Sequence, residues 1–327
     1  MSRRIKVAVI GVGYLGRFHA EKYAGIPEVE LVGVVDADKK QAEAVASGLK
    51  TSAFHSYKDI LSKDKVDAVS IVVPTSLHYS IAKDFLSQGI DCLLEKPITN
   101  TLAEADELIR IAVNKKAILQ VGHLERFNAA VMAARGRVNN PLYIECHRLS
   151  PFPNRSTDVD VILDVMIHDI DIIISFVKSD IESIDAAGLP VLTNMADIAN
   201  ARIRFKNGCV ANITASRVSK ERVRKITLFQ QDGYTAIDYA NQTMTVFKKQ
   251  GSGVRGQGSG KNAELPHITE QNIDIEKNDT LLEEIKAFVN SVITRKPPAV
   301  PGGDGRRALE AAQQIQEKIA CPPRVGD

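Results

Sequence analysis

Four cysteines in 327 residues are too few and too scattered for a disulfide framework. Cys92, Cys146, Cys209 and Cys321 contain no Cys-x-x-Cys spacing, so no metal cluster is implied either. A reducing cytoplasm is therefore the expected location. An excess of one charge is also missing. The net charge of +2 gives no electrostatic case for binding nucleic acid or a membrane. No uninterrupted apolar run reaches membrane-spanning length, and no internal repeat is visible. What remains is a globular composition, 44% hydrophobic and 25% charged, at a length that suggests two domains.

Arg3, Arg4 and Lys6 followed by Val7–Leu15 have the outline of a signal peptide. The same residues form a first strand and a glycine turn, so their removal would destroy the most informative stretch of the chain. The leader reading is rejected on that ground.

That stretch runs from Ile5 to Asp36. An apolar strand, Val7–Ile10, leads into Gly11-Val12-Gly13-Tyr14-Leu15-Gly16, then a helical segment to about Gly25. A second strand, Leu31–Val35, ends on Asp36. Gly11 permits the tight turn, Gly13 lets a diphosphate approach the backbone, and Gly16 lets the helix pack close to the sheet. The helix N-terminus, at Tyr14 and Leu15, offers N–H groups and partial positive charge to the diphosphate. Asp36 follows Gly16 by about twenty residues, where a carboxylate accepts hydrogen bonds from the adenosine ribose. Its charge repels the 2′-phosphate of NADP, so NAD is favoured, although Lys39 and Lys40 are close enough to meet a phosphate. A merely glycine-rich turn would not need the flanking strand, helix and spaced acid.

The alternation continues. Helices are expected at Lys39–Leu49, Tyr57–Leu61, Leu77–Gln88 and Leu102–Asn114, and strands at Ala68–Val73, Ile90–Leu94 and Ala117–Val121. This is an α/β Rossmann pattern, a doubly wound parallel sheet, over residues 1–122. Gly11, Asp36, Pro74, Lys96 and His123 all follow strand ends, where ligands bind in such sheets.

Residues 123–327 read as an α+β domain with a large open, mainly antiparallel sheet. A helix near Arg126–Arg137 precedes a strand, Leu142–Leu149, an irregular Ser150–Asp160 segment and a long helix, Val161–Val177. A run of strands follows from Ile181 to about Ile275, including Ile198–Phe205, Val210–Ser216, Val223–Gln230, Thr235–Tyr239 and Met244–Lys248. Lys206-Asn207-Gly208 and Gln231-Asp232-Gly233 mark hairpin turns. Residues 251–260 are a Gly/Ser loop, read as disordered in preference to a lid. Two C-terminal helices, Leu281–Thr294 and Arg306–Ile319, are expected to pack back toward the first domain.

Two groups carry chemistry. Asp160, Asp164, His168, Asp171 and Ser175 make one narrow polar stripe on an otherwise apolar helix, with Asp169 the exception. Such a stripe faces an internal cleft or, on the competing reading, solvent. An imidazole at His168 suits removal of a hydroxyl proton, and Asp164 one turn away can orient the hydroxyl or the imidazole. Lys96, between Glu95 and Pro97 at a strand end, can stabilise a developing alkoxide. The bland alternative for Lys96 is a surface loop lysine. His19, His55 and His267 have no nameable partners and are read as structural.

Gly11–Gly16 with Asp36, Glu95-Lys96-Pro97 and Asp164-x-x-x-His168-x-x-Asp171 together resemble the glucose–fructose oxidoreductase/inositol dehydrogenase/MocA (Gfo/Idh/MocA) family, in order and spacing across nearly the whole chain. The resemblance implies a Rossmann domain followed by an open-sheet domain. It implies catalytic roles for Lys96, Asp164 and His168, with His168 the base. It also implies a nicotinamide-side loop at Pro74, Thr75 and His78, a cofactor contact at Glu95, and a homodimer or homotetramer through the second sheet. Gly122–Asn128 and His147–Phe152 resemble the branch that oxidises UDP-N-acetylglucosamine at its 3-hydroxyl, with Ala129 where that branch usually has proline. His123, Arg126, His147, Arg148, Arg155 and Asp171 are then candidate substrate contacts, the cations for a nucleotide diphosphate; the competing reading makes the arginines salt-bridged. The expected activity is NAD-dependent oxidation of a secondary hydroxyl of a sugar, a nucleotide sugar before a free polyol or monosaccharide. A non-catalytic NAD(P)-binding regulator is the rival of another class, disfavoured because Lys96, Asp164 and His168 are all present.

Overall fold

The computed structural model describes residues 3–63, 66–152, 159–250 and 267–320. Two compact units emerge: Met1–Phe127 with Asp279–Glu310, and Asn128–Asn278 with Ala311–Asp327.

In the first unit the chain forms β1 (Ile5–Ile10), α1 (Tyr14–Ala24), β2 (Val29–Val35), α2 (Lys39–Leu49), β3 (Ser52–Phe54), α3 (Tyr57–Lys63), β4 (Ala68–Ile71), α4 (His78–Ser87), β5 (Asp91–Glu95), α5 (Leu102–Lys115) and β6 (Leu119–Gly122). The strands make one parallel sheet in the order β3-β2-β1-β4-β5-β6. All four residues of β4, and the last four of β1, are buried, as a sheet covered on both faces requires. Val7, Val9, Val34 and Leu93 share one core with Ala20 and Tyr23 of α1 and with Ile285, Phe288, Val289 and Val292 of the C-terminal segment. Fully burying a side chain such as Phe288 contributes about 1.5–3 kcal/mol.

The second unit begins at Asn128, inside the helix expected from the sequence. The helix expected over Arg126–Arg137 is two pieces: a 3-10 turn at Leu124–Phe127, and α6 (Ala129–Ala134). Asn128 separates them, because its extended backbone breaks the first turn and its side chain caps the second by accepting from the Ala130 N–H. Then come β7 (Tyr143–Leu149), a π-helical turn (Ile162–Met166), α7 (Ile167–Val177), β8 (Ile181–Leu189), β9 (Ile198–Phe205), β10 (Val210–Ser216), β11 (Val223–Gln230), β12 (Gly233–Asp238), β13 (Thr243–Gln250) and β14 (His267–Ile273). The eight-stranded sheet has the order β14-β13-β12-β11-β7-β10-β9-β8 and is antiparallel except for the β7/β10 pair. In β9, Ala199, Ala201, Ile203 and Phe205 are buried while Asn200, Arg202 and Arg204 are exposed. That period-two pattern defines a covered face and an open one. α7 packs on β7 and β10.

The chain ends with α8 (Thr280–Thr294) and α9 (Gly302–Ala320), the first packed into the core of the parallel sheet. Among the described residues no helix is long and apolar enough to cross a membrane.

Candidate active site

In the first unit, Gly11, Asp36, Pro74, Lys96 and His123 follow the carboxyl ends of β1, β2, β4, β5 and β6, on one edge of the sheet. Gly11 has φ +84°, and a Cβ there would come within 2.3 Å of the Val72 carbonyl oxygen. A Cβ on Gly16 would come within 1.9 Å of the Gly11 oxygen, so the start of α1 lies against the turn. A Cβ on Gly13 would meet nothing within 4 Å. Gly13 is also the N-cap of α1 and closes its first turn with no side-chain hydrogen bond. The turn is thus tight at two glycines and open at the third, the arrangement a diphosphate needs. Tyr14 is exposed and Leu15 half-buried beside it.

Backbone donors hold the Asp36 carboxylate in place. Its Oδ2 accepts from the Val12 N–H at 2.8 Å and its Oδ1 from the Asp38 N–H at 3.0 Å. Each oxygen keeps a further lone pair, enough for a ribose diol. Lys39 and Lys40 are exposed on the first turn of α2. Asp36→Ala is therefore expected to weaken NAD and relax discrimination against NADP, read by equilibrium titration of both; an unchanged preference would remove the ribose role.

Pro74 is exposed and Thr75 half-buried at the start of the 3-10 turn Thr75–Leu77. His78 is different: it is 1% exposed. Its Nδ1 lies 2.8 Å from the Pro97 carbonyl oxygen and its Nε2 2.9 Å from that of Val73. Both nitrogens face backbone acceptors, so His78 ties the segment after β4 to the segment after β5 and does not present a nitrogen to cofactor. Burial outweighs these carbonyls and the nearby Glu95, and holds the imidazole below its ordinary 6.5. A depressed folded value means full stability above 6.5 and loss as pH falls through the folded one. Glu95, whose carboxyl is also depressed, acts only below its ordinary 4.5. Between those two values wild type should lose thermal stability faster than His78→Gln as pH falls; parallel curves would refute this origin.

Glu95 and Lys96 end β5, and the Lys96–Pro97 peptide is cis. Glu95 is buried and Lys96 half-buried. Glu95 Oε2 accepts from the Lys96 N–H at 3.2 Å. His19, expected to be merely structural, has partners here. Its Nδ1 lies 2.8 Å from Ser70 Oγ and its Nε2 3.3 Å from Glu95 Oε1. No local pattern signals this pairing, since the residues are far apart in the chain and meet only through packing of α1 on the sheet.

In the second unit, Asp164 lies in the π-helical turn and His168 and Asp171 on α7. The expected regular helix over Val161–Val177 is thus corrected: its first turn is wider. Asp160 Oδ1 accepts from the Ile162 and Leu163 N–H groups, both at 3.0 Å, and so starts the turn. Asp164, His168 and Ser175 are half-buried, but Asp171 is 1% exposed. The polar stripe is therefore real at Asp164 and His168 and submerged at Asp171.

The arginines expected to meet a diphosphate are engaged elsewhere. Arg148 is buried and grips Asp169 with two bonds, Nε to Oδ2 at 2.8 Å and Nη2 to Oδ1 at 2.7 Å, over the ring of Tyr239. Asp169, the one charge off the stripe, is 0% exposed and is explained by this fork. Arg126, also buried, meets Asp304 at 3.2 Å. Each is ion-paired within its own unit. His147 is exposed on the face of β7 opposite to Arg148. His123 is 1% exposed. Arg155 and the 251–260 loop lie outside the described residues.

Comparison with known proteins follows the same division. The profile described as an oxidoreductase family with an NAD-binding Rossmann fold matches residues 5–123, and that of the GFO/IDH/MocA C-terminal domain matches 128–236. UDP-N-acetylglucosamine 3-dehydrogenase of Acidithiobacillus ferrooxidans is 39% identical over 316 residues, 96% of this chain and 97% of that one. A solved structure of that dehydrogenase aligns with a TM-score of 0.88 at 38% identity, covering 97% of this chain and 98% of the other. Myo-inositol 2-dehydrogenase of Thermotoga maritima is 25% identical over 337 residues, 96% of this chain and 97% of that one. The scyllo-inositol dehydrogenase of Lactobacillus casei, solved with NAD(H) and scyllo-inositol, shares the fold at a TM-score of 0.78 and 21% identity, with 97% of each chain covered.

Proposed function

The chain belongs to the GFO/IDH/MocA family of oxidoreductases with an NAD-binding Rossmann fold, and we propose that it oxidises the 3-hydroxyl of UDP-N-acetylglucosamine to the 3-keto sugar. The observation that carries the substrate is the 39% identity, across nearly the full length of both chains, to a dehydrogenase of that name. When bound, NAD supplies the acceptor for the hydride of the carbinol carbon. Gly11, Gly13 and Gly16 with the first turn of α1 hold its diphosphate, and Asp36 its adenosine ribose. His168 takes the hydroxyl proton at an imidazole nitrogen. Asp164 orients that hydroxyl or the imidazole and favours the imidazolium that forms. The Lys96 ammonium offsets negative charge on the carbonyl oxygen as it develops.

NADH absorbance with UDP-N-acetylglucosamine, other UDP-sugars, inositols and hexoses tests the substrate. Turnover confined to inositols or hexoses would overturn it and leave the dehydrogenase reading standing. Beyond the ion-paired Arg126 and Arg148, the candidates for the diphosphate of the substrate are His147 and Arg155.

The protein is further proposed to form a homodimer or homotetramer through the open face of the eight-stranded sheet. Tyr143, Phe229, Tyr234 and Phe247 make a continuous half-buried aromatic row on that face, with successive ring centroids 5.8, 5.1 and 4.2 Å apart. Aromatic rows of this kind suit a buried interface. Sedimentation of the wild type against Tyr234→Lys reads it directly; a wild-type monomer would end the proposal. Cys92, Cys146 and Cys209 are free and buried, which supports a reducing compartment such as the cytoplasm.

A further inference from the structure

A polar island lies inside the first unit, between the parallel sheet and helices α1 and α8. Ser70 on β4, Glu95 on β5, Gln120 on β6, His19 and Tyr23 on α1 and Glu284 on α8 are all buried there, five of the six at 0% exposure and Glu95 at 6%. The groups are connected. His19 bridges Ser70 Oγ and Glu95 Oε1 with its two ring nitrogens. Gln120 donates to the backbone oxygen of Glu284 at 3.3 Å. Carboxylate oxygens of Glu95 and Glu284 and a ring nitrogen of His19 lie within 4.8 Å of one another. Burying such groups is costly unless their arrangement is fixed and satisfied, so the island needs a reason.

The reason is at its edge. Glu95 is the last residue of β5, and the oxygen that does not face His19 accepts the N–H of Lys96. A second constraint comes from the neighbouring strand. Gly122 pairs with Glu95 in the β5/β6 ladder, and a Cβ there would come within 2.7 Å of Glu95 Oε1. The carboxylate is thus gripped by an imidazole on one side and lies on a bare glycine on the other. We propose that His19 and Gly122 are positioning residues: they fix the Glu95 carboxylate, which in turn fixes the backbone and the charge environment of Lys96. This deepens the proposed function and rests on Lys96 acting in that reaction. The path runs from Ser70 to His19 by a hydrogen bond, from His19 to Glu95 by the 3.3 Å Nε2–Oε1 contact, and from Glu95 to the Lys96 N–H by a hydrogen bond, three links ending at one proposed catalytic group. Displacement of a reacting group by about 1 Å can lower a rate roughly 100-fold.

The test uses both ends of the grip in the full-length protein. His19→Ala and Gly122→Ala should each lower kcat by about 10- to 100-fold while the NAD dissociation constant stays within about threefold of the wild type. His19→Gln, whose amide N–H can still reach Glu95, should recover part of the loss. The decisive comparison is Gly122→Ala in a Glu95→Ala background. With no carboxylate to displace, the added methyl should have no further effect on kcat. An equal penalty in both backgrounds, or wild-type kcat in His19→Ala, would overturn the proposal. So would a stoichiometric divalent ion in the purified protein with kcat lost on chelation, because His19, Glu95 and Glu284 would then be its ligands. Limited acetylation of Lys96, followed by peptide mass spectrometry, reads the same series without substrate. If the wild type oxidises no sugar, the proposed function fails, yet a Lys96 acetylation rate shifted by His19→Ala and Gly122→Ala would still support this positioning role.

Discussion

Replacing His168 by alanine is expected to lower turnover by roughly two to four orders of magnitude, the usual worth of a positioned general base. NAD affinity should stay near wild type, since the diphosphate turn and Asp36 belong to the other unit. The size of the effect follows from the environment. His168 is half-buried on a helix whose only charge off the polar stripe, Asp169, is buried and paired, so bulk water is a poor substitute for it. Asp164 lies one turn earlier, in the π-helical segment, and Asp164→Asn should give a smaller loss in the same direction. If His168→Ala retains full turnover at neutral pH, another group takes the proton, and the assignment of Asp164 falls with it.

What could be read from the chain was local. The Gly11–Gly16 turn and Asp36 announce themselves because their spacing is set by one strand, one turn and one helix. β9, β10 and β11 were legible because one side of the sheet is covered and the other is not, which writes alternation into Ile198–Phe205. β8 and β14 carry no such pattern: their residues are mostly exposed or half-exposed at the two edges of the sheet. The π turn was also hidden, because Asp164 and His168 four apart fit an ordinary helix equally well. Asp160, whose carboxylate accepts from two successive N–H groups, caps the segment as it would cap an ordinary helix, so it gives no signal for the wider turn either. The arginines show the same limit. Nothing in the sequence says that Arg148 meets Asp169 or that Arg126 meets Asp304, because those partners are brought together by packing. The island at His19 is the extreme case, a set of polar residues on five separate elements.

Asp169→Ala is expected to destabilise the second unit by about 3–5 kcal/mol, one of the larger effects available to a single substitution here. Making and breaking such a pair are energetically asymmetric. Arg148 and Asp169 have side-chain exposures of 6% and 0% and share two short bonds. Taking both charges out of water is costly, and their mutual attraction roughly offsets that cost. Removing one partner restores none of the hydration and leaves the other charge buried and unpaired. Arg148→Met should thus cost a similar amount, with some packing over Tyr239 kept by the methionine. The double variant Arg148→Met/Asp169→Leu should regain most of the loss, since two apolar side chains bury without a desolvation penalty. Thermal and urea unfolding of the four proteins gives the coupling directly. Strict additivity of the two single losses would mean that the fork contributes nothing as a pair. Recovery in the double variant would have a further consequence. The fork anchors α7 to β7 through the residue that follows His168, so a variant that is stable but slow would separate the work of holding the fold from that of aiming the base.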